Sequence, residues 1–325
     1  MTRPSEQIVT VIGGSGFVGR HVVRALARRG YRVRVACRRP DLAGHVQPLG
    51  APGQIMPVQA NLRYPESLAA AVTGAHAVIN LVGILHESGA QDFASVHGAG
   101  AEAAARAARA AKAHLFIQMS ALGADAASTS AYGRSKAMGE ALARASFPGA
   151  IVIRPSVIFG PEDDFLNRFA GLSRFAPVLP LIGGGATRFA PVFVGDVAEA
   201  IARLVDADAA DGRTYELGGP REMSFRDILA FILEATGRRR LLAPIPFAVA
   251  KPLGLVLGLL PAPLLTGDQV ELLRADNVVS AAARKDGRTL EGLGIAPRTL
   301  EATAPSYLYR YRKAGQFTAP SGTPR

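Results

Sequence analysis

The sequence has one cysteine and no tryptophan among its 325 residues, and aromatic residues make up only 6% of it. The single cysteine, Cys37, excludes an internal disulfide and permits a reducing compartment. No apolar run reaches the about 20 residues that a membrane-spanning helix needs, because the most apolar stretch, at 241–265, is broken by Lys251 and five prolines. We expect no signal peptide, since the first predicted strand begins near Ile8. These absences predict a soluble or membrane-peripheral chain.

The excess of positive charge, +11 at neutral pH, comes almost entirely from arginine. Proteins that bind single-stranded nucleic acid also use aromatic residues as stacking platforms. The basic segments lack such residues, so the sequence predicts no nucleic acid partner. The densest basic run contains Arg20, Arg24 and Arg28 at i, i+4 spacing, which would form one exposed stripe on a helix. An acidic partner or an anionic membrane surface would fit this stripe, and a generally arginine-rich composition is the alternative.

Short apolar strands alternate with helical patterns through the first half of the sequence, which is typical of βαβ units and a parallel sheet. We therefore predict an α/β protein: a doubly wound parallel Rossmann sheet with a smaller C-terminal α/β lobe. The first helix runs from about Val18 to Arg29, and an alanine-rich helix is expected at about 92–112. Strands are predicted near 8–12, 32–37, 55–60, 76–82, 114–119 and 150–154. The predicted Rossmann domain covers 1–155, with 190–218 returning to it, and the smaller lobe covers 156–189 and 219–325, with a disordered tail from about 316.

A glycine-rich loop, VIGGSGFVG at 11–19, follows the first predicted strand and opens the first predicted helix. Gly13 permits a tight turn, Gly16 lets a phosphate approach the backbone, and Gly19 lets the helix pack closely on the sheet. The helix N-terminus then offers free N–H groups and the positive end of its dipole to an anion. This context predicts binding of a dinucleotide pyrophosphate. The predicted contacts in the loop are Gly13, Ser15, Gly16, Phe17, Val18 and Gly19.

The end of the second strand indicates which dinucleotide binds. An acidic residue there would bond a free ribose 2′-hydroxyl, but the sequence has Arg38 and Arg39, with no acid before Asp41. A guanidinium matches a 2′-phosphate, which favours NADP(H) over NAD(H); two solvated surface arginines are the alternative. Because ligands bind at the carboxyl ends of parallel strands, residues after the third and fourth strands are expected to reach the adenine and its ribose. These residues are Asn61, Leu62, Val82 and Gly83.

Tyr132 and Lys136 are four residues apart in a segment of helical character, so their side chains share one helix face. A nearby ammonium favours the ionised form of a phenol. Tyr132 would then exchange a proton with a carbonyl or alcohol, while Lys136 bonds the nicotinamide ribose. Ser120, which closes the fifth strand, would orient the substrate oxygen. The histidines at 21, 45, 76, 86 and 114 show no metal-ligand spacing, so no metal is expected.

Several features together resemble the extended and atypical short-chain dehydrogenase/reductases: the three loop glycines, Ser120, Tyr132-x-x-x-Lys136, and the segments 153–165 and 191–201. The resemblance covers roughly 1–220 and implies a nucleotide cleft with a smaller lobe over a substrate. Pro155, in the segment 153–165, joins the expected nucleotide contacts.

One departure from catalytic relatives of this kind concerns the helix after the fourth strand. Those relatives usually carry an asparagine there, which holds a water of the proton relay, whereas this sequence has His97. His97 would either replace that asparagine as a proton shuttle, because the ordinary pKa of histidine lies near neutrality, or simply pack against the sheet.

A narrower resemblance runs over nearly the whole length. The segments 49–55, 78–87, 165–183 and 266–273 are similar to the nucleotide-binding accessory subunit of respiratory complex I, NADH:ubiquinone oxidoreductase. This resemblance implies a tightly bound NADPH with a structural or assembly role, other complex I subunits as partners, and a cytoplasmic location peripheral to the inner membrane. We therefore favour a binding subunit without independent turnover. The alternative is an NADPH-dependent short-chain reductase or epimerase that acts on a small carbonyl or sugar-type substrate.

Overall fold

The computed structural model describes residues 3–258 and 265–313, so the tail expected from about residue 316 lies outside the described residues. The chain forms two compact units. The first unit comprises Met1–Arg154, Gly195–Leu217 and Ala281–Ile295. The second unit comprises Pro155–Val194, Gly218–Ser280 and Ala296–Arg325.

The secondary structure alternates strands and helices along most of the described chain. The strands are β1 (Ile8–Ile12), β2 (Arg32–Cys37), β3 (Ile55–Gln59), β4 (Ala77–Asn80), β5 (Leu115–Met119), β6 (Ile151–Pro155), β7 (Ile158–Phe159), β8 (Val178–Ile182), β9 (Arg188–Phe189), β10 (Val192–Phe193), β11 (Thr214–Leu217), β12 (Met223–Ser224) and β13 (Leu241–Ile245). The helices are α1 (Phe17–Arg28), α2 (Pro65–Val72), α3 (Gly100–Ala110), α4 (Ala131–Ser146), α5 (Phe165–Leu172), α6 (Val194–Ala207), α7 (Phe225–Ala235), α8 (Phe247–Leu257), α9 (Gly267–Leu272), α10 (Ala281–Lys285), α11 (Leu300–Thr303) and α12 (Pro305–Leu308).

A seven-stranded sheet in the order β11-β6-β5-β4-β1-β2-β3 forms the centre of the first unit. The neighbouring strands from β3 to β6 pair in parallel. The strand order reverses beside β1, which is the mark of a doubly wound Rossmann sheet. The predicted fold class is confirmed, and the six strands predicted from the sequence begin and end within two residues of the observed ones.

The helices of the first unit pack through small or aliphatic side chains. On α1, the buried residues include Val22, Val23 and Leu26, which recur at helical spacing and face the sheet. The alanine-rich helix expected at about 92–112 begins with a π-helical turn over Ala94–Ala99 and continues as α3. Four alanines of α3 are fully buried, and their size allows close packing against the sheet and α4. The four are Ala101, Ala104, Ala105 and Ala108.

The segment Ala281–Ile295 belongs to the first unit, whereas the sequence analysis assigned it to the smaller lobe. Hydrogen bonds along the sheet-edge strand β11 explain the difference. The Glu216 N–H donates to the Arg288 carbonyl over 2.9 Å, and the Arg288 guanidinium donates to the Thr214 carbonyl over 2.8 Å. Arg203, on α6, donates to the Leu293 carbonyl over 2.7 Å. These contacts join residues far apart in the sequence, and no local pattern predicts them.

The second unit has its own apolar core, built from α5, α7 and short strands around residues such as Phe159, Leu179 and Ile228. Its strands form three two-stranded pairs: β7 with β10, β8 with β13, and β9 with β12. Ser224 and Asp227 form a reciprocal capping box at the start of α7. Across the two described ranges, no helix combines the length and the apolar character that crossing a bilayer requires.

Candidate functional site

The loop between β1 and α1 has the shape that its glycines predict. Gly13 adopts a φ of +82°, which favours glycine, and its N–H donates to the Ala36 carbonyl of β2 over 2.8 Å. A Cβ on Gly19 would lie only 2.6 Å from the backbone of Gly14, so the first turn of α1 packs directly on the loop. Gly16 caps α1 without any side-chain hydrogen bond. The loop therefore presents backbone and a helix N-terminus, which suits a pyrophosphate.

The side chains at the end of β2 lie beside this loop. The Ser15 hydroxyl is hydrogen-bonded to the Cys37 thiol, whose pKa burial raises. Arg38 and Arg39 follow, and both are exposed. Arg38 donates to the neutral amide oxygen of Gln91 over 3.0 Å, whereas Arg39 forms an ion pair with Asp41 at 2.6 Å. This pair raises the pKa of Arg39 and lowers that of Asp41.

The two arginines are therefore not equivalent. A phosphate at Arg38 would displace a neutral amide, whereas at Arg39 it would compete with a carboxylate that already holds the guanidinium. His45 is a further basic side chain near the loop: its Nε2 lies 3.1 Å from the Ser15 carbonyl oxygen, and its Nδ1 lies 3.1 Å from the Leu42 carbonyl oxygen. Both ring nitrogens of His45 thus lie within hydrogen-bond distance of a backbone carbonyl oxygen. His45 was not among the site residues predicted from the sequence.

The residues predicted after β3 have different environments. Asn61 is partly exposed, and its side-chain oxygen accepts a hydrogen bond from the Arg63 N–H over 3.1 Å. Leu62 is buried in the core, where its Cδ1 lies 2.9 Å from the position of a Cβ on Gly100. Asn61 thus offers polar groups near the surface, whereas Leu62 holds the segment after β3 in place by packing in the core.

The segment after β4 joins the glycine-rich loop to the Tyr132–Lys136 pair. A Cβ on Gly13 would lie 3.1 Å from Cγ2 of Val82, and a Cβ on Gly83 would lie 3.0 Å from Nζ of Lys136. Asn80, at the end of β4, accepts a hydrogen bond from the Val82 N–H over 3.3 Å and fixes this turn. The structure therefore brings Gly13, Val82, Gly83 and Lys136 together along one edge of the sheet.

Tyr132 and Lys136 share a face of α4, as predicted. The helix is capped by Ser130, whose hydroxyl accepts the Gly133 N–H, and Nζ of Lys136 lies 5.6 Å from the Tyr132 ring centroid. Burial lowers the pKa of Lys136 to about 8, although the Glu140 carboxylate opposes this shift. Burial also raises the pKa of Tyr132 above its ordinary value. The pKa of Tyr132 is therefore shifted in the direction opposite to the one that an effect of the Lys136 charge would give, and burial is the cause.

His97 is buried beside this pair, with both ring nitrogens engaged. Nε2 accepts the Ile84 N–H over 3.0 Å, and Nδ1 lies 2.8 Å from the Ser135 hydroxyl, which in turn donates to the Tyr132 carbonyl. Burial and the nearby Lys136 charge lower the pKa of His97 to about 3. The neutral tautomer with a proton on Nδ1 satisfies every contact. Of the two roles left open by the sequence, the packed histidine is the one observed.

Ser120 lies in a separate polar network. Its hydroxyl donates to Glu140 over 2.5 Å, and Arg154 forms two hydrogen bonds with the same carboxylate, at 2.8 and 2.7 Å. Glu140 is buried one helical turn beyond Lys136. Glu140 and Arg154 were not among the residues predicted from the sequence, although Glu140 continues the i, i+4 series from Tyr132 and Lys136. Pro155, the remaining predicted contact, ends β6 and is buried.

Comparisons with known proteins agree with this geometry. Residues 9–218 match the NAD dependent epimerase/dehydratase family. One relative is NADH dehydrogenase (ubiquinone) 1 alpha subcomplex subunit 9, mitochondrial, of Arabidopsis thaliana. The two sequences are 34% identical over 323 residues, and the alignment covers 95% of this chain and 79% of that protein. The Mus musculus protein of the same name is 36% identical over 312 residues, covering 95% and 81%. A ceramide reductase of Caulobacter vibrioides is 37% identical over 198 residues, 61% of each protein.

Solved structures resemble the fold over nearly its whole length. An NADPH-dependent quinone oxidoreductase of Escherichia coli, complexed with NADPH, has a TM-score of 0.71 at 18% identity and covers 93% of this chain and 99% of its own. A dTDP-glucose 4,6-dehydratase of Bacillus anthracis, in complex with NAD, has a TM-score of 0.71 at 15% identity and covers 94% and 96%. At these identities the likeness concerns the fold alone.

Proposed function

The chain belongs to the NAD dependent epimerase/dehydratase family and to the family of the complex I subunits with which it aligns, and we propose that it is a nucleotide-binding accessory or assembly subunit of respiratory complex I. The alignment over 95% of the chain carries this proposal, because it spans both units rather than the nucleotide-binding half alone. The nucleotide would be held as a structural ligand.

The glycine-rich loop supports nucleotide binding directly. A side chain at Gly19 would collide with the loop backbone, and one at Gly13 would press on Val82. The backbone cradle is thus open only because these residues are glycine, and it fits a dinucleotide pyrophosphate. When bound, a nicotinamide nucleotide would supply a hydride donor or acceptor. Lys136, with Nζ beside Gly83, would donate a hydrogen bond to its ribose.

We propose NADP(H) as the nucleotide. Arg38 follows β2 at the position where a ribose 2′-substituent is recognised in this fold, and its present partner is the neutral amide of Gln91. No acidic side chain stands at the end of β2 to receive a 2′-hydroxyl. Arg39 would contribute less because Asp41 already neutralises it.

A structural role for the nucleotide is supported by the protonation and hydrogen bonding of the predicted catalytic groups. The Ser120 hydroxyl donates to the Glu140 carboxylate rather than being directed at a substrate. His97, beside the Tyr132–Lys136 pair, is neutral with both nitrogens in use. Use of Ser120 or His97 on a substrate would require these two groups to rearrange, whereas holding the pyrophosphate and the ribose of a nucleotide requires only the loop and Lys136.

We propose a location at the surface of the membrane that contains the complex, on the cytoplasmic face of the inner membrane. Two surfaces support contact with a partner or with lipid. In the first unit, Arg24 and Arg28 are exposed on α1, with Arg20 partly exposed beside them. In the second unit, α8 exposes 61% of Leu255 and 66% of Val256. Exposed apolar helix positions of this kind are typical of interaction surfaces.

Purification from membranes tests the proposal. A tagged full-length chain, solubilised in mild detergent, is expected to co-migrate with complex I subunits on a native gel and to carry NADP(H) through exhaustive dialysis, as identified by mass spectrometry. A chain that migrates alone in every detergent would contradict the accessory-subunit proposal. A nucleotide that is lost within seconds of dilution would contradict its structural role.

A second function, an NADPH-dependent carbonyl reductase, is favoured by Tyr132 and Lys136 on one face of α4 and by the alignment with the ceramide reductase. Here Tyr132 would donate its proton to the substrate oxygen as hydride transfer proceeds. A panel of carbonyl compounds that includes long-chain ketones distinguishes the two functions. Oxidation of NADPH that depends on such a compound, and that Tyr132→Phe abolishes, would favour the reductase.

A further inference from the structure

Three side chains from distant parts of the sequence converge at the amino-terminal edge of the sheet in the first unit. His76 precedes β4, His114 precedes β5, and Asp208 follows α6. Nε2 of His76 lies 2.8 Å from Oδ1 of Asp208, and Nδ1 of His114 lies 2.9 Å from the same oxygen. The two imidazole rings are stacked with their centroids 5.7 Å apart and their planes 6° from parallel. The predicted nucleotide contacts lie at the opposite, carboxyl ends of these strands.

The register of the sheet accounts for this arrangement. Ala77 pairs with Leu115 across β4 and β5, so the residues that precede them, His76 and His114, are neighbours. The His114 N–H donates to the His76 carbonyl over 2.8 Å and fixes the two backbones. Because strand pairing brings the histidines together, their spacing in the sequence carries no metal-ligand signal.

The neighbouring cation Arg29 pairs with carboxylates other than Asp208, whose own hydrogen bonds are with the two imidazoles. Asp206, two residues earlier, receives Arg29 at 2.7 Å and the Tyr31 hydroxyl at 3.0 Å. Arg29 is further balanced by Glu199 at 2.6 Å. The positive charge of Arg29 is therefore neutralised by two other carboxylates. His76 and His114 thus both direct a ring nitrogen at the same oxygen, Oδ1 of Asp208, which gathers one carboxylate and two imidazoles in one place.

We infer that His76, His114 and Asp208 form a binding site for a divalent transition metal ion, and that Zn²⁺ matches it best. Two imidazole nitrogens and one carboxylate oxygen are a donor set that zinc accepts, with the fourth position taken by water. Zinc bonds of about 2.0–2.1 Å place tetrahedral ligand atoms about 3.3 Å apart. The three ligand atoms here lie within 4.8 Å of one another. A small outward rotation of the Asp208 carboxylate therefore makes room for the ion.

The ion would join the starts of two central strands to the end of α6. His114 and Asp208 expose more than two fifths of their side chains, so the ion reaches the cluster without unfolding. Oxygen-preferring Mg²⁺ and Ca²⁺ fit two imidazoles poorly, so they serve as specificity controls. The expected role is structural, and it is independent of the nucleotide.

Metal binding by the full-length chain, with its affinity tag removed and trace metal stripped by chelator, tests the site. Zn²⁺ titrated in a calorimeter should bind saturably at one equivalent and should raise Tm, whereas Mg²⁺ should do neither. Co²⁺ should give the intense visible absorption of a tetrahedral site with nitrogen ligands.

The decisive variants are Asp208→Asn and His114→Ala, each expected to weaken Zn²⁺ binding at least tenfold. Asp208 has a φ of +50°, a conformation that asparagine also tolerates, so Asp208→Asn removes the charge without straining the backbone. His86→Ala removes a histidine outside the cluster and should bind Zn²⁺ as the wild type does. Absence of saturable Zn²⁺ binding, or equal binding by Asp208→Asn, His114→Ala and the wild type, would overturn the inference.

Discussion

Nζ of Lys136 lies 3.0 Å from the point where a Cβ on Gly83 would stand. Gly83, three residues beyond the end of β4, thus makes room for the charged end of a side chain from α4. A methyl group at position 83 would push the ammonium aside, because the end of a lysine side chain moves more easily than the backbone. This single contact connects the strand that is expected to line the ribose with the only lysine on α4.

Gly83→Ala should therefore weaken nucleotide binding while the fold remains stable. We expect a loss of about tenfold in affinity, or ~1.4 kcal/mol, because Lys136 no longer reaches its position. Fluorescence titration with NADPH measures the affinity, and thermal unfolding measures the stability. Gly44→Ala is the matched control, since a Cβ there meets nothing within 4 Å. Equal affinity of the two variants would show that the placement of Lys136 is unimportant.

Arg38→Gln should reduce the preference for NADPH over NADH. Removal of a charge-assisted hydrogen bond to the 2′-phosphate costs about 1.5–3 kcal/mol, which lowers NADPH affinity roughly tenfold to a hundredfold and leaves NADH affinity nearly unchanged. Arg39→Gln should have a smaller effect, because the Asp41 carboxylate already bonds the Arg39 guanidinium and competes with a phosphate for it. Dissociation constants for both nucleotides check each variant. An unchanged NADPH to NADH ratio in Arg38→Gln would contradict the assignment.

Lys136→Met should stabilise the nucleotide-free protein, and the gain should shrink as the pH rises. Burial lowers the pKa of Lys136 from about 10.5 to about 8, so the unfolded chain binds the proton more tightly than the folded chain does. The cost of burying the ammonium is fully present below pH 8, roughly 3 kcal/mol. It is relieved as the pH rises from about 8 to about 10.5.

Urea unfolding of the wild type and Lys136→Met at a series of pH values between 7 and about 10.5 measures this difference. The exposed Lys285 provides a control, since Lys285→Met removes an equal charge from the surface. Glu140 keeps its partner Arg154 in the Lys136→Met variant, so no new unpaired charge is created. A gain that stays constant across this range would mean that the ordinary pKa of Lys136 is retained.

Ser120→Ala should lower stability without affecting nucleotide retention. The buried Ser120 hydroxyl donates to Glu140, and loss of one such hydrogen bond to a charged group costs about 1.5–3 kcal/mol. Two arginine hydrogen bonds still hold the carboxylate in place. Denaturant unfolding and mass spectrometry of the bound nucleotide check the two halves of this prediction. Loss of nucleotide at unchanged stability would contradict this prediction.

Local patterns in the sequence predicted the elements whose causes are local. The glycine-rich loop, the alternation of strands and helices, and the i, i+4 spacing of Tyr132 and Lys136 all depend on neighbouring residues. The protonation of Tyr132 was mispredicted because burial is a property of the folded chain. The bond of Ser120 with Glu140, and the meeting of His76 and His114 with Asp208, depend on strand order and register. Burial and contacts between distant residues leave no recognisable pattern in a single sequence, so these features could not be predicted from it.

The return of Ala281–Ile295 to the first unit has a consequence for biosynthesis. Translation proceeds from the amino terminus, and domains that are contiguous in the chain complete their folding as they emerge from the ribosome. Here the strand β11 pairs with β6 on one side, and its outer side is contacted only when Arg288 has been added, late in a chain of 325 residues. Until then the nascent sheet carries an open edge that invites pairing with other chains. The first unit therefore cannot complete its folding until the segment 281–295 has left the ribosome.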